Sequence, residues 1–241
     1  MMTVDFSKLD LPKGAWVLDA GCGSGRHLTK AFRFRDVNVV GIDMSREDAG
    51  KANRTLDCMI HEAEDGGGIK LISVSDITKL PFRDASFDVV ICSEVLEHIP
   101  DHHRAVREIV RVLKPGKSLV VSVPRYLPER ICWALSHDYH NEEGGHIRIF
   151  RKKELIGILE KAGTRHMESG WAHSLHSPYW WLKCYVGHKN DDHPLVKLYH
   201  RFLVWDIMKK PLLTRALDKT LNPIISKSIV LYLKKGIPHG N

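Results

Sequence analysis

The chain has 241 residues, of which 43% are hydrophobic and 27% are charged, and its formal net charge is +7. This composition excludes an intrinsically disordered chain, a collagen-like repeat and a coiled coil. No apolar run reaches the roughly 20 residues that cross a bilayer. The polar start from Met1 to Asp10 lacks the pattern of a signal peptide, and the five scattered cysteines form neither a disulfide framework nor a thiolate metal site. We therefore expect a soluble, reduced, cytoplasmic protein.

The charge is distributed unevenly along the chain. Residues 1–120 hold 17 Lys and Arg against 18 Asp and Glu, whereas residues 121–241 hold 19 against 11. The second part also contains 10 of the 15 His and 5 of the 6 Trp. This asymmetry indicates that the two parts do different work and that the basic part meets an anionic or interfacial partner. A solvated basic face without any partner would have the same composition.

Short apolar, β-branched runs in the first part of the chain have the pattern of β-strands. They cover residues 15–20, 37–42, 69–74, 87–92 and 117–123. Helical patterns lie between them at residues 25–35, 45–61 and 101–113, with Ser45 and Asp48 as a capping box and Lys114-Pro115-Gly116 as a helix stop. Near-continuous apolar strands that alternate with helices predict a doubly wound α/β domain with a mostly parallel sheet.

The first predicted strand runs into a glycine-rich segment that begins at Asp19. Glycines at 21, 23 and 25 let the backbone pass close to a ligand and turn sharply into a helix. The dinucleotide-binding pattern needs a small residue where Arg26 stands, and the Asp19 carboxylate suits a cationic ligand better than a pyrophosphate. The segment therefore argues against a nicotinamide-dependent oxidoreductase on this architecture.

Acidic residues follow three successive predicted strands. Asp43 comes about twenty positions after the glycine segment, where a carboxylate can accept both hydroxyls of a ribose. Asp76 follows the third strand and can accept from an exocyclic amine such as that of adenine, and Ser93 and Glu94 follow the fourth. Each acid alone is more often a solvated turn or a helix cap. Together with the glycine segment they predict a ligand site at the carboxyl edge of the sheet.

Five segments in chain order resemble the motifs of class I S-adenosylmethionine-dependent methyltransferases. They read VLDAGCGSGRH, GID at 41–43, SVSDITKLPF, SFDVVICSEVLEHI and RVLKPGKSLVVSVP. The resemblance covers residues 15–124 and is closest to the branch with an FDxVxxxEVLEH motif. It implies a Rossmann-like fold with a seven-stranded sheet and S-adenosyl-L-methionine as the cofactor.

The resemblance also implies a set of cofactor-binding residues. The methionine end of the cofactor is expected beside the segment that holds Asp19, Gly21, Cys22, Gly23 and Gly25. Asp43 is expected at the ribose and Asp76 at the adenine amine, with Met44 and Ile77 flanking the ring. Ser93 is expected to close the pocket near the methyl group.

Residues 137–150 form a polar, glycine-rich stretch that contains three His and three acids within ten residues. We expect no metal there, because spaced ligands in such a loop lack the register of a helix or strand that fixes coordination geometry. We expect the loop to roof the catalytic opening. Its GGHIRIF sequence resembles the GHxRxF segment of the same methyltransferase branch, which marks His146 and Arg148 as the residues that face the active site.

Histidine is the natural general base at neutral pH, and the acceptor determines whether one is needed. We expect His146 to act as the base, with His140 and His98 as further candidates, although a structural role at a helix start suits His98 better. Substrate-contacting candidates are Tyr139, Arg148, Trp180 and Trp181. The acceptor atom, oxygen, nitrogen or carbon, stays open.

The rest of the chain completes the predicted domain, which spans residues 1–241. A helix at 152–162 and strands at 164–171 and 227–233 give seven strands, the last an antiparallel hairpin partner. Residues 15–124 form the cofactor-binding half and 125–241 the substrate half, with a helical insertion at 172–226. In the insertion, a helix at 194–210 carries an apolar stripe with basic residues along it. The stripe comprises Leu195, Leu198, Phe202 and Trp205.

We expect a methyltransferase for a small, hydrophobic or lipid-like acceptor. The simpler interpretation of the stripe is that it packs on the sheet. The alternative is a lid that covers the acceptor and contacts an anionic membrane at its periphery. An RNA methyltransferase, suggested by the basic charge, and a non-catalytic cofactor-binding scaffold remain alternatives. No nucleic-acid partner is expected, because no separate RNA-binding module and no base-flipping motif is present in the sequence.

Overall fold

Seven strands form one sheet in the computed structural model, which describes residues 2–237. The strands are β1 (Trp16–Ala20), β2 (Asn38–Asp43), β3 (Lys70–Val74), β4 (Phe87–Ser93), β5 (Leu113–Pro124), β6 (Thr164–Ala172) and β7 (Ser228–Lys235). Their order across the sheet is β3-β2-β1-β4-β5-β7-β6. The pairs from β3 to β5 are parallel, whereas β7 runs antiparallel to both of its neighbours. This is the predicted Rossmann-like sheet.

Helices connect the strands and cover both faces of the sheet. They are α1 (Arg26–Ala31), α2 (Arg46–His61), α3 (His102–Val112), α4 (Tyr126–Leu135), α5 (His137–His140), α6 (Lys152–Lys161), α7 (His176–Val186), α8 (Pro194–Lys209) and α9 (Leu212–Ile225). Ser45 caps α2 by accepting from the backbone nitrogen of Asp48 at 3.1 Å, as its sequence predicts. Two clusters of buried side chains, one on each face, form the core around β1 and β4.

The reversal of strand order at β1 and β4 positions the site. The chain leaves β1 toward β2 on one side and reaches β4 on the other, so the carboxyl ends of these strands open a crevice between them. β1 is buried from Val17 onward and β4 from Phe87 to Cys92. Both strands are therefore rigid supports for the loops that follow them.

The turn between α3 and β5 is tighter than the Lys114-Pro115-Gly116 sequence predicts. α3 ends at Val112 as expected, but β5 begins at Leu113, so the three residues lie inside the strand. The register with β4 shifts between Phe87 and Val89. The missing N–H of Pro115 is tolerated at such an irregularity of the ladder.

β7 pairs antiparallel with β6, as predicted, and the insertion between them consists of three helices, α7 to α9. The predicted helix at 194–210 is α8, whereas the sequence did not predict α9. The expectation that the apolar stripe of α8 packs on the sheet is wrong. Leu195, Leu198 and Trp205 are 55%, 64% and 48% exposed, because α8 instead buries Val196, Leu203 and Asp206. Within residues 2–237, no helix is long and apolar enough to cross a membrane.

Candidate active site

A cavity of about 330 Å³ opens at the carboxyl ends of β1, β2 and β4. Its walls come from the glycine segment after β1, the end of β2, the residues after β3 and the segment from Ser93 to Ile99. Seven of the ten residues expected at the cofactor line it: Gly21, Cys22, Gly23, Asp43, Met44, Ile77 and Ser93. The crevice that the topology predicts and the motifs that the resemblance marks therefore coincide.

The glycine segment is held in a shape that larger residues would disturb. Gly21 has a φ of 81°, and a Cβ there would lie 2.4 Å from Cγ2 of Val95. Gly25 has a φ of 88° and borders Ala52 of α2. Asp43 fixes the segment from β2, since its Oδ2 accepts from the backbone nitrogen of Gly23 at 2.8 Å. The result is a backbone cradle open to the cavity.

Asp19 lies beneath this cradle in a position that favours a cationic partner. It is 1% exposed, and neither carboxylate oxygen has a hydrogen-bond partner among the residues that the structure describes. Burial raises the pKa of this carboxyl from its ordinary 3.8 to about 8. The neighbouring His27 offers no compensating charge, because burial lowers its pKa to about 4. The carboxyl group fits a cofactor that carries positive charge and N–H donors to this end of the cavity.

Asp19, Gly25 and Asp76 lie outside the described lining of the cavity. Asp19 and Gly25 support the cradle from behind. The carboxylate oxygens of Asp76 accept from the backbone nitrogen and hydroxyl of Thr78, at 2.7 and 2.8 Å. Its chain neighbours Ser75 and Ile77 line the cavity instead, so Asp76 stays a sequence-based prediction at the adenine.

The far wall of the cavity contains Ser93 and Glu94, which lie at the end of β4. Glu94 adopts a left-handed backbone with a φ of 58° and accepts from the hydroxyl of Ser122 at 2.9 Å. Ser93, expected near the methyl group, lies with its hydroxyl 2.7 Å from that of Ser122. The unusual backbone at Glu94 is a tertiary feature that the sequence does not signal.

A buried carboxylate gathers three donors beside this wall. Glu129 of α4 is 0% exposed and accepts from Nδ1 of His146 at 2.6 Å, from the Tyr139 hydroxyl at 3.0 Å and from Nζ of Lys227 at 2.6 Å. We call these four residues the Glu129 cluster. Burial alone would raise the pKa of Glu129, but the hydrogen bond from His146 and the charge of Lys227 outweigh burial and lower the pKa to about 2. The sequence analysis missed Glu129 and Lys227.

His98 connects the cavity to the Glu129 cluster. It lines the cavity, and its ring centroid lies 4.9 Å from that of His146. Its Nδ1 lies 3.0 Å from the carbonyl oxygens of Gly144 and Gly145. Because carbonyl oxygens only accept, this Nδ1 carries the proton and donates. His98 therefore borders the cavity and also anchors the loop that holds His146.

Glu97, His98 and His146 are a group among the described residues that could hold a metal ion. A ring nitrogen of each His and a carboxylate oxygen of Glu97 lie within 4.8 Å of one another. Both oxygens of the fully buried Glu97 lack a hydrogen-bond partner among the described residues. Of residues 137–150, where the sequence analysis weighed and discounted a metal, this group contains His146 alone.

The other predicted catalytic and substrate residues have diverse surroundings. His140 is exposed and stacks on Trp133, at 3.9 Å between ring centroids. The guanidinium of Arg148 donates to the backbone carbonyls of Leu96, Ile99 and Pro100, so it holds the segment after β4. Its expected contact with the acceptor stays a prediction. These bonds follow from the close approach of the loop to the segment after β4, which the sequence does not encode locally.

The two adjacent tryptophans of α7 lie against the Glu129 cluster. The indole nitrogen of Trp181 donates to the carbonyl of Pro128 at 3.0 Å. The ring of Trp180 lies 5.8 Å from that of Tyr139 and 5.4 Å from Nζ of Lys227. α7 therefore packs next to the predicted acceptor side of the site through both aromatic residues.

Comparison with known proteins matches residues 4–168 of the chain to the model of the methyltransferase domain family. The 27-O-demethylrifamycin SV methyltransferase of Amycolatopsis mediterranei is 35% identical over 156 residues, which cover 64% of this chain and 56% of that protein. The ubiquinone biosynthesis O-methyltransferase of Paraburkholderia phymatum is 32% identical over 163 residues, covering 62% of this chain and 64% of that protein. The chain thus matches less than two thirds of the length of either relative.

The fold also recurs in solved structures. An S-adenosylmethionine-dependent methyltransferase from Aquifex aeolicus aligns with a TM-score of 0.52 at 20% identity, over 69% of this chain and 80% of that one. At this identity the likeness concerns the fold, whereas the family match spans more than half of the chain. With its cradle, its buried carboxylate and its strand order, the chain belongs to the methyltransferase domain family and, within it, to the class I S-adenosylmethionine-dependent methyltransferases.

Proposed function

We propose that this chain transfers the methyl group of S-adenosylmethionine to a small, hydrophobic or lipid-like acceptor. The observation that carries the proposal is the continuity of the site. The cavity above the unpartnered Asp19 extends to His98, whose ring contacts His146 of the Glu129 cluster. The cofactor supplies an activated methyl group on a sulfonium. The protein has to hold that group, align an acceptor atom with it and exclude water.

The cofactor-binding part follows from charge and geometry. Asp19 and the backbone of the glycine segment receive the cationic methionine end. The two carboxylate oxygens of Asp43 accept one hydrogen bond each, from the backbone nitrogens of Gly23 and Ser45. Each oxygen can accept a further hydrogen bond, and these remaining positions receive the ribose hydroxyls. Met44 and Ile77 flank the adenine, since both line the cavity near the end of β2.

A hydrophobic acceptor is supported by the insertion and by the relatives. Trp180, Trp181 and Tyr139 give the proposed acceptor side large apolar surfaces next to the Glu129 cluster. The two relatives are named for methylation of a demethylrifamycin and for ubiquinone biosynthesis. Both names concern small organic acceptors, and we extend that acceptor class to this chain.

A peripheral contact with an anionic membrane is the second part of the proposal. Exposed apolar side chains cluster on the insertion helices and define what we call the α8–α9 apolar surface. It comprises Leu195, Leu198, Trp205, Met208, Leu212, Leu213 and Ile224. Leu212 and Leu213 are 88% and 80% exposed. Lys197, Arg201 and Lys209 on α8 and Lys210 at its C-terminal cap are exposed as well. Apolar residues beside basic ones are the composition that binds anionic lipid.

The cofactor is tested by calorimetry with S-adenosylmethionine, S-adenosylhomocysteine and NAD. We expect the first two to bind and NAD not to bind, and a clear NAD isotherm would overturn the assignment. Asp43→Ala is expected to weaken the cofactor by about 1.5–3 kcal/mol, because it removes a charged acceptor from the site. Methyl transfer is then measured with labelled cofactor on a panel of hydrophobic phenols, quinols and small polar acceptors.

Membrane contact is tested by co-sedimentation with phosphatidylglycerol vesicles at low and high salt. Leu212→Glu with Leu213→Glu is expected to abolish binding. Ile60→Glu with Leu71→Glu is the matched control, because it makes the same two changes at exposed positions on α2 and β3. Trp180 and Trp181 are less suitable targets, since both are partly buried against α4 and α5. Equal sedimentation of all three proteins, or none by the wild type, removes the membrane part.

A further inference from the structure

We propose that Glu129 is a positioning residue, which fixes the proton of His146 on Nδ1 and so leaves Nε2 free to take a proton from a hydroxyl acceptor. The proposal rests on the proposed function and makes it more specific. It names the acceptor as one whose reacting atom is an oxygen that carries a proton. It also assigns a task to a buried cluster that the cofactor-binding part does not use.

The direction of the hydrogen bond determines the tautomer. The ammonium group of Lys227, which only donates, lies 2.6 Å from Oε2 of Glu129 and holds the carboxylate in its ionised form, in which both oxygens only accept. Nδ1 of His146, 2.6 Å from Oε1, must therefore be the donor. In the neutral imidazole the proton on Nδ1 leaves a lone pair on Nε2. The buried carboxylate thus selects the tautomer that can accept a proton at Nε2.

The remaining contacts of Glu129 hold it in place. Its Oε2 accepts from Nζ of Lys227, and its Oε1 also accepts from the hydroxyl of Tyr139. Both donors are polar groups that can keep the carboxylate ionised although it is fully buried. The four residues come from α4, α5, the loop before α6 and the residue before β7, so separate parts of the fold converge on one imidazole.

The location of His146 suits proton transfer at the acceptor. His98 lines the cavity and lies against His146, and Glu94 lies on the same wall. The Nδ1 of His98 is occupied by the carbonyl oxygens of Gly144 and Gly145. His98 thus keeps the loop, and with it His146, beside the cavity.

The transfer step balances with the groups at hand. The acceptor oxygen forms a bond to the methyl carbon while the bond between methyl carbon and sulfur breaks, and the electron pair of that bond stays on sulfur. The proton of the acceptor hydroxyl passes to Nε2 of His146. The carboxylate of Glu129 stabilises the imidazolium that forms. A carbon acceptor without an acidic proton would leave this arrangement unused.

Glu129→Gln makes a sharp test because of Lys227. An ammonium group only donates, so the single oxygen of the amide turns to Lys227 and the NH₂ group faces Nδ1 of His146. Nδ1 must then accept, and the proton moves to Nε2. We expect long-range ¹H–¹⁵N NMR at alkaline pH to find the proton of His146 on Nδ1 in the wild type and on Nε2 in Glu129→Gln. Comparison with His146→Gln assigns the signals.

Glu143→Gln is the matched control, since it makes the same change at an exposed position in the same loop. It is expected to leave the tautomer of His146 unchanged. The positioning role is overturned if the proton of His146 is on Nε2 in the wild type. It is also overturned if the tautomer is unchanged in a folded Glu129→Gln protein. The wild-type spectrum tests the proposal even if the variant does not fold.

Kinetics test the acceptor class separately, with an alkyl catechol as the probe. We expect Glu129→Gln to lower kcat by about 100-fold, a typical loss for general-base catalysis, with KM and cofactor affinity within a few-fold. Glu143→Gln should retain the wild-type rate. An unchanged kcat overturns the role of the pair in catalysis. If the wild type methylates only carbon or amine acceptors, the hydroxyl assignment is wrong, whereas failure to bind the cofactor would instead refute the proposed function.

Discussion

Nζ of Lys227 lies 2.6 Å from Oε2 of Glu129, although the two residues are 98 positions apart in the chain. Glu129 is fully buried, and the Lys227 side chain is 13% exposed. The pair joins α4 to the start of the last strand beneath α7. It therefore affects both the stability of the second half of the chain and the state of His146.

Lys227→Met is expected to lower the free energy of unfolding by about 3 kcal/mol, because it leaves the Glu129 charge buried without its cationic partner. Chemical denaturation measures the change. Lys189→Met is the control, since Lys189 is 76% exposed and pairs with an exposed Glu142, and such pairs contribute about 1 kcal/mol or less. Equal effects of the two substitutions would contradict the importance of the buried pair.

Acid should destabilise the wild type more steeply than Glu129→Gln. The pKa of Glu129 is about 2 in the folded protein and 4.5 when unperturbed. A lowered folded pKa contributes stability that is present above the unfolded value and is lost as the pH falls toward the folded value. The difference in the free energy of unfolding between wild type and variant is therefore expected to shrink between about pH 4.5 and pH 2. A difference in the free energy of unfolding that stays constant with pH would show that ionised Glu129 does not contribute this stability.

Cofactor binding should release a proton near neutral pH. Burial raises the pKa of Asp19 to about 8, so the carboxyl is mostly protonated at pH 7. A cationic methionine end favours the ionised form and expels that proton. Calorimetry in two buffers that differ in ionisation enthalpy should give different binding enthalpies for the wild type and the same enthalpy for Asp19→Asn. A binding enthalpy of the wild type that is the same in both buffers would argue against contact between Asp19 and the cationic methionine end.

Gly21→Ala should reduce both stability and cofactor affinity. Its φ of 81° strains any larger residue, and the new Cβ would lie 2.4 Å from Val95. Gly157→Ala in α6 is the contrasting change, because no atom lies within 4 Å of its added Cβ. There the better helix propensity of alanine should stabilise the protein by about 0.5–1 kcal/mol. Thermal unfolding and cofactor titration measure both variants. A Gly21→Ala protein that binds the cofactor with wild-type affinity would refute the role of the glycine segment in cofactor binding.

The cofactor half was predictable because its signals are local. Apolar runs specify strands, and residues at strand ends reach the same edge of a parallel sheet whatever the rest of the chain does. Asp43 and the glycine segment could therefore be placed from sequence. The periodicity of α8 is also local, and it correctly predicts a stripe of apolar residues. It does not say which face of the helix meets the core.

The tertiary structure decided that face, and α8 turns Leu198 and Trp205 outward. It also turned Arg148 toward backbone carbonyls and gathered Glu129, His146 and Lys227 around one hydrogen-bonded centre. No periodic pattern in the sequence predicts these contacts, because each depends on packing between segments that are far apart in the chain. The chain by itself thus determined the fold and the cofactor edge. The contacts that position the proposed base form only when the sheet and its insertion pack together and bury the carboxylate of Glu129. A carboxylate buried there has to be hydrogen-bonded and paired with a cation, or it stays protonated.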